Sequence, residues 1–220
     1  MTRLIWWAAL LLGFGYGLAG LTDWRVPNGE QASAAMTLWK GACVGLLAFW
    51  AGVQARSTNG WLMTAVLALG AMGDVLLNTH GLEVGGVVFA LGHVVAISLF
   101  LCNRRPVATL SQRTLMWVLV PATLVTVWAM LTPNPAWWHA ALYAAFAATM
   151  AATAWRSRFP RYRVGIGAMM FLASDLVIFA GANGDISELA ARLLIWPLYF
   201  GGQALIAWGV MTTLQREQPA

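Results

Sequence analysis

Asp74, in "LGAMGDVLLN" (69–78), and Asp175, in "GAMMFLASDLVIFA" (167–180), are carboxylates set in runs that are otherwise apolar. An aspartate at the centre of a membrane helix costs about 2.5–3.5 kcal/mol on insertion scales. Such residues face the bundle interior and mark function more often than not. Two acids held close in a low dielectric cannot both ionise easily, and a nearby ammonium favours the ionised form of one. The pair is therefore a candidate acid and base at neutral pH. The competing structural reading is a protonated aspartate that hydrogen-bonds between helices.

Other polar residues fall in comparable settings. Asn78 lies four residues after Asp74, on the same helix face, and Ser174 precedes Asp175. Lys40, Glu83, His93, His139, Tyr143, Arg192, Tyr199 and Gln203 are polar residues in or beside apolar segments, with Tyr199 and Gln203 sharing a face at i,i+4. Each also has a plain reading: Tyr143 and Tyr199 as packing aromatics, Glu83 and His139 as interfacial residues, and Arg192 as a side chain snorkelling to headgroups. Taken together they describe a polar cavity opening toward the outer leaflet, with two carboxylates and at least one cation.

Several chemistries fit poorly. The chain has no G-x-S-x-G, H-E-x-x-H, C-x-x-C or P-loop pattern, and Ser174 has no evident histidine partner for a nucleophile triad. A zinc site from His80, His93 and His139 is disfavoured, because His93 sits near mid-membrane and the other two near a membrane face, whereas ligands must converge on one ion. Cys43 and Cys102 differ too much in depth to form a disulfide.

The elements that must position these residues are membrane helices. Of 220 residues, 60% are hydrophobic and only 10% charged, which excludes an ordinary soluble domain. The breaks carry turn chemistry, including "VPNGE", "STNG", "THG", "NRRP", "TPNP", "RFPR" and "NGD". They delimit eight apolar segments of roughly spanning length: Leu4–Leu21, Ala35–Gln54, Trp61–Asn78, Leu82–Cys102, Thr114–Thr132, Ala136–Trp155, Val164–Ala182 and Leu189–Thr213. The first resembles a signal peptide but is long, rich in Gly and Trp, and lacks a convincing cleavage site. The expectation is an all-α polytopic membrane protein, a single domain over 1–220 with eight transmembrane helices.

Charge orients the bundle. With eight spans, Arg3, Arg56, Arg104, Arg105, Arg113, Arg156, Arg158, Arg161, Arg163 and Arg216 share one side, and only Arg25 lies in a loop on the other. The positive-inside rule then makes both termini cytoplasmic. Asp23, Glu30, Asp185 and Glu188 face outward. The net charge of +5 reports this orientation and not nucleic-acid binding, because the basic residues sit in loops with no aromatic-interleaved surface. Lys40 and Arg192 are the basic residues left inside spans.

Depth can be read from the same map. Asp74 lies about thirteen residues from the start of its segment and Asp175 about eleven, so at about 1.5 Å of rise per residue their depths differ by only a few ångströms. The similar contexts "AMGDVLLN" and "LASDLVIFA" also raise an old four-helix duplication as one reading.

The order of motifs resembles the YhhN-type lysoplasmalogenase family. The elements are Lys40, "LGAMGDVLLN", "FALGH" ending in His93, Tyr143, "GAMMFLASDLVIFA" around Asp175, and "YFGGQALI" with Tyr199 and Gln203. Two positions depart from the family pattern: Gly41 follows Lys40 where proline is usual, and Ala96 stands where a tyrosine commonly follows the histidine by three. The resemblance implies an eight-helix integral membrane hydrolase that cleaves the vinyl ether bond of lysoplasmalogens (1-alkenyl-glycerophosphocholine or -ethanolamine), releasing a fatty aldehyde and a glycerophospho-alcohol.

That chemistry suits the residues. A vinyl ether is hydrolysed by protonating its β carbon, adding water to the oxocarbenium ion, and collapsing the hemiacetal. Asp74 and Asp175 are the expected acid and base, in either order, as carboxylate pairs serve oxocarbenium chemistry in glycosidases. Lys40 is expected to set the asymmetry between them or to contact phosphate, and Arg192 to contact the headgroup. Asn78, His93, Tyr143, Ser174, Tyr199 and Gln203 are expected to orient water, substrate or the carboxylates. No cofactor or metal is required; the partners are a lysophospholipid, water and membrane lipids, and the expected location is a bacterial inner membrane. The main competing reading is a proton-coupled lipid or small-molecule transporter, which calls for polar residues along a path to both faces. The cytoplasmic halves of these segments are almost wholly apolar.

Overall fold

A computed structural model describes residues 1–21, 29–132, 134–135 and 137–217. Asp23, Arg25 and Ala136, and the side chain of Glu30, lie outside that description. Among the described residues the regular structure is helical, apart from one isolated bridge between Arg104 and Ser157. Seven α-helices are present among the described residues: α1 (Thr2–Leu21), α2 (Gly29–Gly52), α3 (Thr58–Cys102), α4 (Leu110–Leu131), α5 (Trp137–Arg156), α6 (Ile166–Asn183) and α7 (Glu188–Arg216), with a π turn, Arg161–Gly165, leading into α6. They form two compact units, Met1–Val95 and Ala96–Ala220.

The helix count is seven where the sequence suggests eight, and Gly81 accounts for the difference. α3 is two helical stretches that abut at Gly81, where the backbone leaves the helix with φ 88° and ψ 177°. That region is open essentially to glycine alone. The two halves of α3 then run back along one another: a side chain on Gly85 would strike the backbone of Leu77, one on Gly73 would strike the Phe89 ring, and Gly92 faces Leu69. Partners whose numbers rise on one arm as they fall on the other define an antiparallel hairpin. The expected segments Trp61–Asn78 and Leu82–Cys102 are its two arms.

Within the first unit, α1 and α2 are antiparallel. The Trp39 indole donates to Leu12 O at 3.0 Å, and the Trp6 and Trp50 rings meet at 4.6 Å. Tryptophan supplies a large apolar contact here while its N–H finds a carbonyl, which an apolar surrounding demands. Next, α2 packs on the first arm of α3. Gly41 is what allows the approach, because a β carbon there would lie 2.6 Å from Val75 Cγ2. The glycine that departs from the family pattern therefore has a packing role one residue after Lys40.

In the second unit, alanine sets the spacing. Buried Ala141 and Ala144 of α5 pack with Val127 of α4 and Phe179 of α6, and small side chains let membrane helices approach closely. Between α6 and α7 the backbones nearly touch, since a β carbon on Gly202 would lie 2.6 Å from Gly167 O. Ser187 caps α7 by accepting from Ala190 N–H at 3.2 Å, satisfying a donor that the first turn leaves open. Gly184, at φ 84°, ends α6 in the left-handed conformation common after helices.

Six helical segments are long and apolar enough to cross a membrane: Thr2–Gly20, Ala34–Gly52, Thr58–Cys102, Leu110–Leu131, Arg161–Asn183 and Glu188–Arg216. Their outer faces carry large apolar side chains such as Leu11, Phe14, Val87, Trp117 and Val125, all well exposed. The chain is a multi-pass integral membrane protein. Alanine-rich α5 is not among the six, because His139, Tyr143, Thr149 and Thr153 lower its apolar character.

Candidate functional site

In the first unit, α2 and the first arm of α3 make two polar links one helical turn apart. Lys40 Nζ lies 3.1 Å from Asp74 Oδ1, with the carboxylate 1% exposed and the lysine 17%. One turn further along, Asn78 Nδ2 donates to Thr37 Oγ1 at 3.1 Å. Residues 37 and 40 lie on one face of α2, and 74 and 78 on one face of α3, so the links follow from helix periodicity and antiparallel packing. Beside these links, Tyr16 of α1 stands edge-on to the Trp39 ring, centroids 6.0 Å apart, and Cys43 Sγ donates to Trp39 O at 3.1 Å.

An ion pair is the arrangement expected for a lysine and an aspartate removed from water. Each compensates the other, and removing one partner leaves a charge uncompensated. Lys40 retains some exposure, so the pair borders accessible space. It can hold Asp74 as a carboxylate.

The second unit holds the other aspartate differently. Asp175, 6% exposed, accepts a hydrogen bond from Tyr143 OH at 3.1 Å. The Tyr143 ring is set edge-on against Phe179, centroids 6.2 Å apart, which fixes the phenol. Tyr199 of α7 packs edge-on against Phe171 at 5.2 Å and near Trp196 at 5.8 Å, while Gln203, one turn later, is buried. Ser174 is buried, but its hydroxyl donates to Phe171 O at 2.7 Å, the back-bonding common for serine in helices.

The expected site residues thus separate by local partner. The structure brings Lys40 to Asp74, Asn78 to Thr37 and Tyr143 to Asp175. His93 is buried on the second arm of α3, immediately after the glycine that faces Leu69. Arg192 is drawn into an i,i+4 ion pair with Glu188, Nη2 to Oε1 2.5 Å, near the start of α7. Glu83, His80 and His139 are exposed; His80 shares a hydrogen bond with Thr79, and His139 lies against Trp138. Thr37 and Tyr16 escaped the reading of the sequence, because a threonine near a helix start and a tyrosine in an apolar span look like ordinary packing.

Chemically, one unit offers a carboxylate beside an ammonium and the other a buried carboxyl beside a phenol. Among the described residues, no three His, Cys, Asp or Glu side chains converge as a metal-ion site. Comparison with known proteins gives a match to the YhhN family over residues 35–210. No curated protein and no solved structure matches the chain. The matched region runs from the start of α2's apolar part nearly to the end of α7, and contains Lys40, Asp74, Tyr143, Asp175 and Gln203. The chain belongs to the YhhN family, the family of lysoplasmalogenases.

Proposed function

We propose that the protein hydrolyses the vinyl ether bond of a lysoplasmalogen, with Asp175 as the proton donor and Asp74 as the general base. The observation that carries this reading is the Lys40–Asp74 ion pair in a member of the lysoplasmalogenase family. Support for dividing the roles comes from the partners: an ammonium favours the charged form of Asp74, whereas Asp175 is buried beside a neutral phenol.

The proton inventory closes. The Asp175 carboxyl protonates the β carbon of the alkenyl chain, and the ether oxygen shares the resulting positive charge as an oxocarbenium ion. Asp74 takes a proton from water as its oxygen adds to the α carbon, giving a hemiacetal. The hemiacetal hydroxyl then returns a proton to Asp175 as the glycerol oxygen leaves, and Asp74 gives its proton to that oxygen. Aldehyde and alcohol depart, and both carboxyl groups are restored. Lys40 sets the charge of Asp74, and Tyr143 positions Asp175. His93, Asn78, Tyr199 and Gln203 complete the proposed polar environment, with Ser174 shaping its wall and Arg192 serving the headgroup by exchanging its contact with Glu188.

For topology we propose eight crossings, counting the two arms of α3 separately and including α5, with both termini cytoplasmic in a bacterial inner membrane. The asymmetric distribution of arginine supports that orientation. The activity is tested by incubating the purified protein with a 1-alkenyl lysophospholipid and measuring fatty aldehyde. Aldehyde is expected from the alkenyl substrate and none from its saturated 1-alkyl analogue. A folded protein that releases none from either overturns the proposal.

A further inference from the structure

One end of the second unit gathers arginine from four parts of the chain. Arg104 bridges to Ser157, which joins the segment after α3 to the segment after α5. Arg105 donates through Nε to Ser157 O at 2.9 Å, and Arg158 donates through Nε to Asn103 Oδ1 at 2.7 Å. Arg158 also pairs with Glu217, just beyond α7. On α4, Gln112 is buried and its Nε2 donates to Trp155 O at 3.0 Å, so the neighbouring Arg113 belongs to the same end. Trp155 in turn lies against Gly165 of the π turn, whose other residues include Arg161 and Arg163.

The side chains of Arg105 and Arg158 knit the loops together. Arg104, whose backbone forms the bridge to Ser157, is exposed, as are Arg113, Arg163 and Arg216, and Arg156 and Arg161 are half-buried. Glu217 is the sole carboxylate of this end among the described residues, and Arg158 holds it. Two buried donors have no hydrogen-bond partner among the described residues, Trp155 Nε1 and Arg156 Nε. Buried N–H groups are nearly always satisfied in folded proteins. Here the two unsatisfied ones are adjacent in sequence and border the surplus of positive charge.

We propose that this end binds the headgroup of an anionic phospholipid from the adjoining leaflet. Clustered arginine immediately beside membrane helices attracts anionic lipid, and guanidinium groups bind phosphate oxygens in a planar, two-pronged geometry. A phosphodiester supplies negative charge to the exposed arginines. The π turn, a form that recurs at functional sites, presents Arg161 and Arg163 within three residues. Exposed Tyr162, between them, is an aromatic suited to the headgroup level. This surface lies apart from Asp175, at the opposite end of α6 from Gly184, and does not depend on the hydrolase reading.

The test uses the full-length protein in detergent and native mass spectrometry with phosphatidylglycerol or phosphatidylcholine, with inorganic phosphate as a competitor. Wild type is expected to retain phosphatidylglycerol at least about tenfold more strongly than phosphatidylcholine. Each of Arg104→Gln, Arg113→Gln and Arg163→Gln is expected to weaken retention about fivefold. Arg3→Gln, in the other unit, is expected to leave it unchanged. These single substitutions are at exposed side chains, and circular dichroism checks that each variant stays folded. Equal retention of the two lipids, or folded arginine variants that bind like wild type, overturns the proposal. Displacement of lipid by millimolar inorganic phosphate also overturns it, by showing a free-anion site in place of a lipid site.

Discussion

Lys40 Nζ lies 3.1 Å from Asp74 Oδ1, across the close contact that Gly41 allows between α2 and α3. The relationship joins packing to chemistry: the same helix approach that buries Asp74 supplies its counter-charge. Lys40→Met removes that charge while keeping an apolar stem of similar length. Stability is expected to fall by about 3 kcal/mol, the order measured when a buried pair loses one member. In Lys40→Met/Asp74→Asn the loss is expected to be smaller than the sum of the single losses, because the two positions are coupled. Detergent-solubilised unfolding of all four proteins measures the coupling, and strict additivity would show the pair to be energetically idle.

Tyr143 reaches Asp175 through one hydrogen bond, so Tyr143→Phe isolates its contribution without disturbing the ring against Phe179. A neutral hydrogen bond contributes about 0.5–1.5 kcal/mol, equivalent to up to roughly tenfold in rate. The proposed positioning role puts this loss in kcat with little change in KM. A change confined to KM instead indicates that the phenol touches substrate.

Gly81 tests the hairpin. Its φ of 88° with ψ of 177° is closed to other residues at a cost of about 1–3 kcal/mol, so Gly81→Val is expected to lower the unfolding temperature clearly. Gly86→Ala, five residues later, meets no atom within 4 Å and is expected to be neutral or slightly stabilising. Equal behaviour of the two variants would mean that α3 does not fold back at Gly81.

Gly202 tests the crossing of α6 and α7. A β carbon there would lie 2.6 Å from Gly167 O, and a carbonyl in a helix cannot move aside as a flexible side chain can. Gly202→Ala is expected to destabilise by about 1–3 kcal/mol and to reduce activity through Tyr199 and Gln203 on the same helix. Thermal unfolding and rate should fall together; an unfolding temperature unchanged from wild type would contradict the close crossing.

Much of this was legible because polar residues in apolar helices are rare and therefore informative. Asp74, Asp175, Lys40 and Tyr143 stood out by type alone, and "THG" correctly marked the reversal at Gly81. What it could not reveal was that the two expected helices abut at Gly81 with no loop between them. Arg192 shows how an element boundary changes a functional reading: α7 begins at Glu188, one residue before the expected start, and that residue places a carboxylate i,i+4 from the arginine. Ser174 illustrates a different limit, since a serine beside an aspartate does not disclose that its hydroxyl is turned back to Phe171 O. Thr37 acquires meaning only through Asn78, which is 41 residues away in sequence.

The most direct measurement of the central claim is fatty aldehyde release from a 1-alkenyl lysophospholipid by wild type, Asp74→Asn and Asp175→Asn, each verified as folded. General acid and base groups contribute about 10²- to 10⁴-fold. Both variants are therefore expected to lose at least about a hundredfold in kcat. Full activity in either folded variant would contradict the assignment of that carboxylate to the reaction.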